Sequence, residues 1–146
     1  MSNRRRRKPD TALARAFVRN ARAFHEMGQA ALGRSGGSSA YYLAIAIELG
    51  LKAYLLHRGF SDDWTRVWLR HDLSKALRCG RMLGFEAVPG GTAELAAVLG
   101  PLYGCGALRS GIQPSLPLPP EVVDQIICDL LSAVEAAIAI VNGTDQ

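Results

Sequence analysis

Tyr41-Tyr-Leu-Ala-Ile-Ala-Ile-Glu-Leu-Gly-Leu-Lys-Ala-Tyr-Leu-Leu56 is the stretch that decides the fold. Its apolar residues cover every side of a helical wheel, the pattern of a helix in the middle of a bundle rather than on its surface. Glu48 and Lys52 interrupt it one turn apart, on a single stripe where they can pair. Either charge buried alone is costly. Together they predict a satisfied polar spot inside a helical core, with His71 or a backbone end as third partner. With two charges in its middle, the stretch is too short and too polar for a membrane span.

The flanking sequence supplies further helices. Asp10 caps a first helix with Leu13, Phe17, Phe24 and Met27 at apolar spacing and Arg15, Arg19, Arg22 and Glu26 on another face. That helix ends near Gly33, and Ser35-Gly-Gly-Ser-Ser39 turns into the central helix, which runs from Ser39 to Arg58 and stops at Gly59. Ser61, Asp62 and Asp63 cap a short turn that presents Trp64, Val67 and Trp68 on one side as packing residues. His71-Asp72-Leu73 opens the next helix, with Asp72 as N-cap, Leu73, Ala76, Leu77 and Leu83 inward, and Gly84 at its end. Thr92 caps a fourth helix through Leu99, kinked or broken at Gly100-Pro101. Residues 104–120 read as a long irregular connection. Pro120 starts a final helix ending around Asn142-Gly143, with Val123, Ile127, Leu130, Val134 and Val141 toward the core and Asp124, Cys128 and Glu135 on another side. The expected fold is an all-α helical bundle of about five helices. Residues 1–9 form a basic flexible tail, and 10–143 a single helical domain.

Composition narrows the functional classes. Hydrophobic residues make up 49% and aromatics 7% of 146 residues, which favours helices over strands. Cys79, Cys105 and Cys128 are odd in number and lack CxxC spacing, so neither a disulfide framework nor a zinc site is expected. No metal or cofactor is implied. With no export signal, the chain reads as cytoplasmic. Charge is uneven: residues 1–34 hold nine Arg or Lys against Asp10 and Glu26, a net of +7, whereas residues 119–146 hold five acids and no base. This polarity implies an acidic partner for the amino-terminal end, or pairing of opposite ends between chains.

The run from Ser39 to Leu56, followed by a glycine and then His71-Asp-Leu-Ser-Lys-Ala-Leu77, resembles the HEPN domain superfamily. The elements that carry the likeness are Glu48, Leu51 and Lys52 on the core helix and His71, Asp72 and Leu73 opening the next, with Leu108-Arg109 fitting loosely. The resemblance implies a four- or five-helix fold that often forms a homodimer and associates with RNA or nucleotides. It also implies a setting in prokaryotic conflict systems such as toxin–antitoxin modules, with a nucleotidyltransferase-like protein as one partner. Nuclease branches of that superfamily use an arginine followed after four to six residues by histidine, both chains contributing across the dimer. Arg19-Asn-Ala-Arg-Ala-Phe-His25 and Arg66-Val-Trp-Leu-Arg-His71 match this spacing, whereas Arg109 has no histidine after it.

Three functional readings follow. The leading one is a non-catalytic module that binds RNA, a nucleotide or a protein partner, with Arg15, Arg19 and Arg22 contacting phosphates and Arg4 to Lys8 adding salt-sensitive attraction. The second is a metal-independent endoribonuclease, in which His25 or His71 moves the 2′-hydroxyl proton and Arg19 or Arg66 steadies the phosphate. The third is a structural dimerisation domain, its basic first and acidic last helices meeting across chains. His57, closing the central helix, is expected as a cation that suits the helix dipole.

Overall fold

The computed structural model describes residues 8–31 and 38–144, with side chains over 8–31 and 39–139. The arginines of the tail, the turn at Gly33 to Gly37 and the side chain of Val141 lie outside the described residues. Six helices and no strand are present among the described residues: α1 (Thr11–Ala31), α2 (Ser38–His57), α3 (Asp62–Trp68), α4 (Leu73–Met82), α5 (Thr92–Gly104) and α6 (Pro120–Thr144).

α2 packs against each of the other five helices. Its Leu43, Ile47, Leu51, Leu55 and Leu56 are fully buried, which is the consequence of an apolar residue on every side. Contrary to the expectation from its length and two charges, the Ser39–His57 helix is long and apolar enough to cross a membrane; 78% of it is buried inside the bundle. Two close crossings position it. A Cβ on Gly28 of α1 would lie 2.6 Å from Leu43 Cδ2, and one on Gly50 would lie 2.6 Å from Leu131 Cδ2 of α6. Ser39 Oγ donates to the Gly28 carbonyl at 3.1 Å, fixing the α1–α2 register.

Local chemistry sets the ends. The Leu13 amide donates to Asp10 Oδ1, the Trp64 amide to Ser61 Oγ and the Lys75 amide to Asp72 Oδ1, each at 3.0 Å. α2 stops at Gly59 (φ 99°), where the Phe60 amide reaches the Leu55 carbonyl and the Gly59 amide reaches Leu56. α4 stops the same way at Gly84 (φ 98°), with Phe85 bonded to Gly80 and Gly84 to Arg81.

Several expectations are corrected. The buried stripe of α1 is Ala14, Val18, Ala21, His25 and Gly28, one position on from the larger apolar residues. Leu13, Phe17 and Phe24 are only partly covered and Met27 is exposed. Small residues win that stripe because α1 lies close against α2. Thr92 is not a cap: Gly91, in the left-handed region, takes that place, and Thr92 Oγ1 donates to the Pro89 carbonyl. α5 runs through Gly100-Pro101 to Gly104. Pro101 deprives the Ala97 carbonyl of its donor, and Ala97 is exposed, where water can replace it. Of the α3 trio, Trp64 packs against Phe60 with ring centroids 4.5 Å apart, whereas Val67 and Trp68 are exposed.

Candidate functional site: a basic cleft around His71

Glu48 is the hub of the polar spot. Its Oε2 meets His71 Nδ1 at 2.7 Å, its Oε1 accepts from the Tyr103 hydroxyl at 3.1 Å, and Lys52 Nζ stands 3.6 Å from that same oxygen. The Glu48 side chain is 9% exposed and that of Lys52 8%, so α2 delivers both charges to the interior, and the α3–α4 corner and α5 supply the further partners of Glu48 there. The expected third partner, His71, is in place. Burial, and then the negative charge of Glu48, raise the Tyr103 phenol far above the ordinary tyrosine range. The ring of His71 lies 4.6 Å from that of Tyr103 and is 53% exposed as a side chain. With Nδ1 held by the carboxylate, Nε2 has no protein partner among the described residues, and the pair fixes which nitrogen stays open.

His71 forms part of the wall of a cleft of about 1050 Å³ between the α3–α4 corner and the end of α5. Lys52, Arg66, Arg70, Lys75 and Arg78 line it against a single acid, Asp72, while α5 contributes only Gly100, Pro101 and Gly104. Three of these cations are engaged: Lys52 by Glu48, Arg66 by Asp63 and Asp62, which hold its guanidinium above its usual value, and Lys75 by the Trp68 carbonyl at 2.8 Å. Arg70 and Arg78 make no ion pair or side-chain hydrogen bond with the described residues. Arg70 also sits at φ 49°, the left-handed position that ends α3 and where glycine is the easy residue. A bulky cation held in a strained backbone conformation beside an open cleft is a pattern of functional sites.

The other expected residues lie elsewhere. Arg15 and Arg19 are exposed on α1 and line a smaller groove of about 350 Å³ with Glu135 and Ile138. Arg22 turns inward to α6: its Nε donates to Glu135 at 2.9 Å, and its other nitrogens reach Glu135, Ser132 and Cys128. Burial opposes the charge of Arg22, and Glu135 outweighs it, so the guanidinium stays above its usual value. His25 is buried with Nε2 2.6 Å from Asp124 Oδ1, an oxygen that also accepts from Gln29. Six residues apart on one helix, Arg19 and His25 occupy different faces and form no common site. Arg66 and His71 do share one. The expectation of His57 as a helix-end cation is reversed: burial, then the charges of Arg58 and Arg15, push its pKa down, and its Nδ1 is buried without a partner.

Arg70, Lys75, Arg78 and Tyr103 were not singled out from sequence. A run of bases from Arg66 to Arg81 with Asp72 as its one acid was legible there, but charge at the two chain ends obscured it. Comparison with known proteins finds no matching family model, no matching curated protein and no matching solved structure.

Proposed function

We propose that this protein is a HEPN-like helical module that binds RNA or a nucleotide through its phosphates in the His71 cleft, without cleaving it. What carries the reading is that Arg70 and Arg78 line a cleft of nucleotide size and make no ion pair with the described residues. Arg15 and Arg19 on α1 then serve as a secondary, non-specific patch, and Arg22 holds α1 to α6. The test is filter binding of an oligoribonucleotide at two salt concentrations. Arg70→Gln/Arg78→Gln is expected to weaken binding strongly and to flatten its salt dependence by about two phosphate contacts. Arg15→Gln/Arg19→Gln is expected to weaken it modestly. Undiminished binding by the cleft variant refutes the assignment.

One observation favours a second reading, the endoribonuclease. Glu48 on Nδ1 leaves His71 Nε2 open as a base, with Arg66 five residues earlier on the same cleft. RNA cleavage by wild type that is lost in His71→Ala decides for it; intact RNA decides for the binding module. In either reading two copies associate, and the Arg22–Glu135 and His25–Asp124 contacts, already made between α1 and α6 within one chain, are not what joins them. Salt-independent dimerisation in sedimentation is the expected result.

A further inference from the structure

The cleft has a rim and a floor of different character. Arg70 and Arg78 are exposed at the rim, where a guanidinium can meet a phosphate on a chain running past. Lys52 is recessed: its side chain is 8% exposed, yet it lines the same cleft. An ammonium carries three donors. The described residues offer this one a single ion pair, at 3.6 Å, longer than a charge-assisted hydrogen bond. The His71 ring and the Tyr103 hydroxyl draw on the same carboxylate, which Lys52 approaches only at ion-pair distance. Lys52 and His71 thus flank one carboxylate, each with hydrogen-bonding capacity left over toward the cleft. A lysine whose side chain is nine-tenths buried, with donor capacity left over and a cleft beside it, suits an anion.

Resting on the reading of the cleft as a phosphate-binding site, we infer that its floor takes a terminal phosphate, a phosphomonoester carried by a mononucleotide or by the end of an RNA chain. An internal phosphodiester has a sugar on both sides and stays at the rim. A monoester presents three unsubstituted oxygens and a second negative charge, with a pKa near 6. Such a group can descend to Lys52 Nζ and reach His71 Nε2, and Arg70 and Arg78 hold the nucleoside side of the ligand.

The experiment is fluorescence anisotropy with one oligoribonucleotide sequence carrying a 5′-phosphate, a 3′-phosphate or hydroxyls at both ends, with a mononucleotide as competitor. One phosphorylated end is expected to bind about tenfold tighter than the hydroxyl form. Lys52→Gln is expected to erase that difference. Because Lys52→Gln leaves the Glu48 carboxylate short of a cation, Glu48→Gln/Lys52→Gln runs beside it, its fold checked by circular dichroism, and loses the preference too. Competition by the mononucleotide at equal strength assigns the site to free nucleotides; weaker competition assigns it to RNA ends. Equal affinity for all ends in the wild type, or a preference kept by a folded Lys52 variant, overturns the inference and leaves the rim reading standing. No binding of any oligonucleotide removes both.

Discussion

Replacing Glu48 by leucine keeps the bulk of the side chain on α2 and deletes the carboxylate on which three groups converge. The Lys52 ammonium then holds a charge at 8% side-chain exposure without its anion, and the Tyr103 hydroxyl loses the acceptor that stood 3.1 Å away. Breaking a buried ion pair from one side costs about 3–5 kcal/mol. Stranding a buried hydroxyl costs about 1–3 kcal/mol. Lys52 can draw water from the cleft, which places the sum near the lower end, at about 4 kcal/mol. That is a large share of the 5–15 kcal/mol typical of a folded domain, so urea unfolding followed by circular dichroism resolves it easily. Adding Lys52→Met removes the stranded charge, and adding Tyr103→Phe removes the stranded hydroxyl. The triple variant should therefore return to within about 1 kcal/mol of the wild type, because an apolar replacement of a buried polar cluster is close to neutral. A Glu48→Leu loss below about 1 kcal/mol, or a triple variant no more stable than the single one, refutes the view of this carboxylate as the hub.

Other perturbations probe separate parts of the account. Arg70→Gly relieves a left-handed arginine and should leave the protein as stable or up to about 1 kcal/mol more stable while weakening RNA binding; parallel loss of both in thermal melts and filter binding contradicts a binding role. Gly28→Ala gains helix propensity but drives a methyl to 2.6 Å from the fully buried Leu43, so a net loss of about 1 kcal/mol is expected as a melting temperature lower by a few degrees. His57→Leu removes a buried unpartnered nitrogen and should add about 1 kcal/mol at neutral pH. The folded pKa of His57 lies below its unfolded value, so wild-type stability is full above about pH 6.5 and declines as pH falls toward the folded value. Denaturation at pH 7 and pH 5 should show a smaller drop for His57→Leu, and equal drops contradict the assignment. A thiol reagent should modify the exposed Cys105 well before Cys79, whose thiol is raised by burial.

The elements legible in the sequence were those with an unambiguous local signal. An apolar helix with no polar face can only be central, and α2 is. Ser61 and Asp72 had the right oxygen at the right distance from an amide, and Gly59 and Gly84 the right freedom to end a helix. The Glu48–Lys52–His71 cluster was legible for the same reason: two charges on a greasy helix must find partners. What failed depended on how close the helices approach. The buried stripe of α1 is made of alanine, valine and glycine because the backbones nearly touch, and hydrophobicity alone points to the phenylalanines instead. Pro101 reads as a break until its orphaned carbonyl is known to face solvent. Arg22 and Arg70 are both single arginines in the sequence; only the tertiary structure gives Glu135 to one and nothing to the other.

The central claim, that the cleft beside His71 rather than the arginines of α1 is the ligand surface, is tested most directly by nuclear magnetic resonance. An isotope-labelled sample is titrated with a short single-stranded oligoribonucleotide at low salt, and amide shifts are mapped along the chain. The account predicts that the shifts gather on residues 66–78 and 100–104. Shifts confined to α1 around Arg15 and Arg19, or none at all, contradict it.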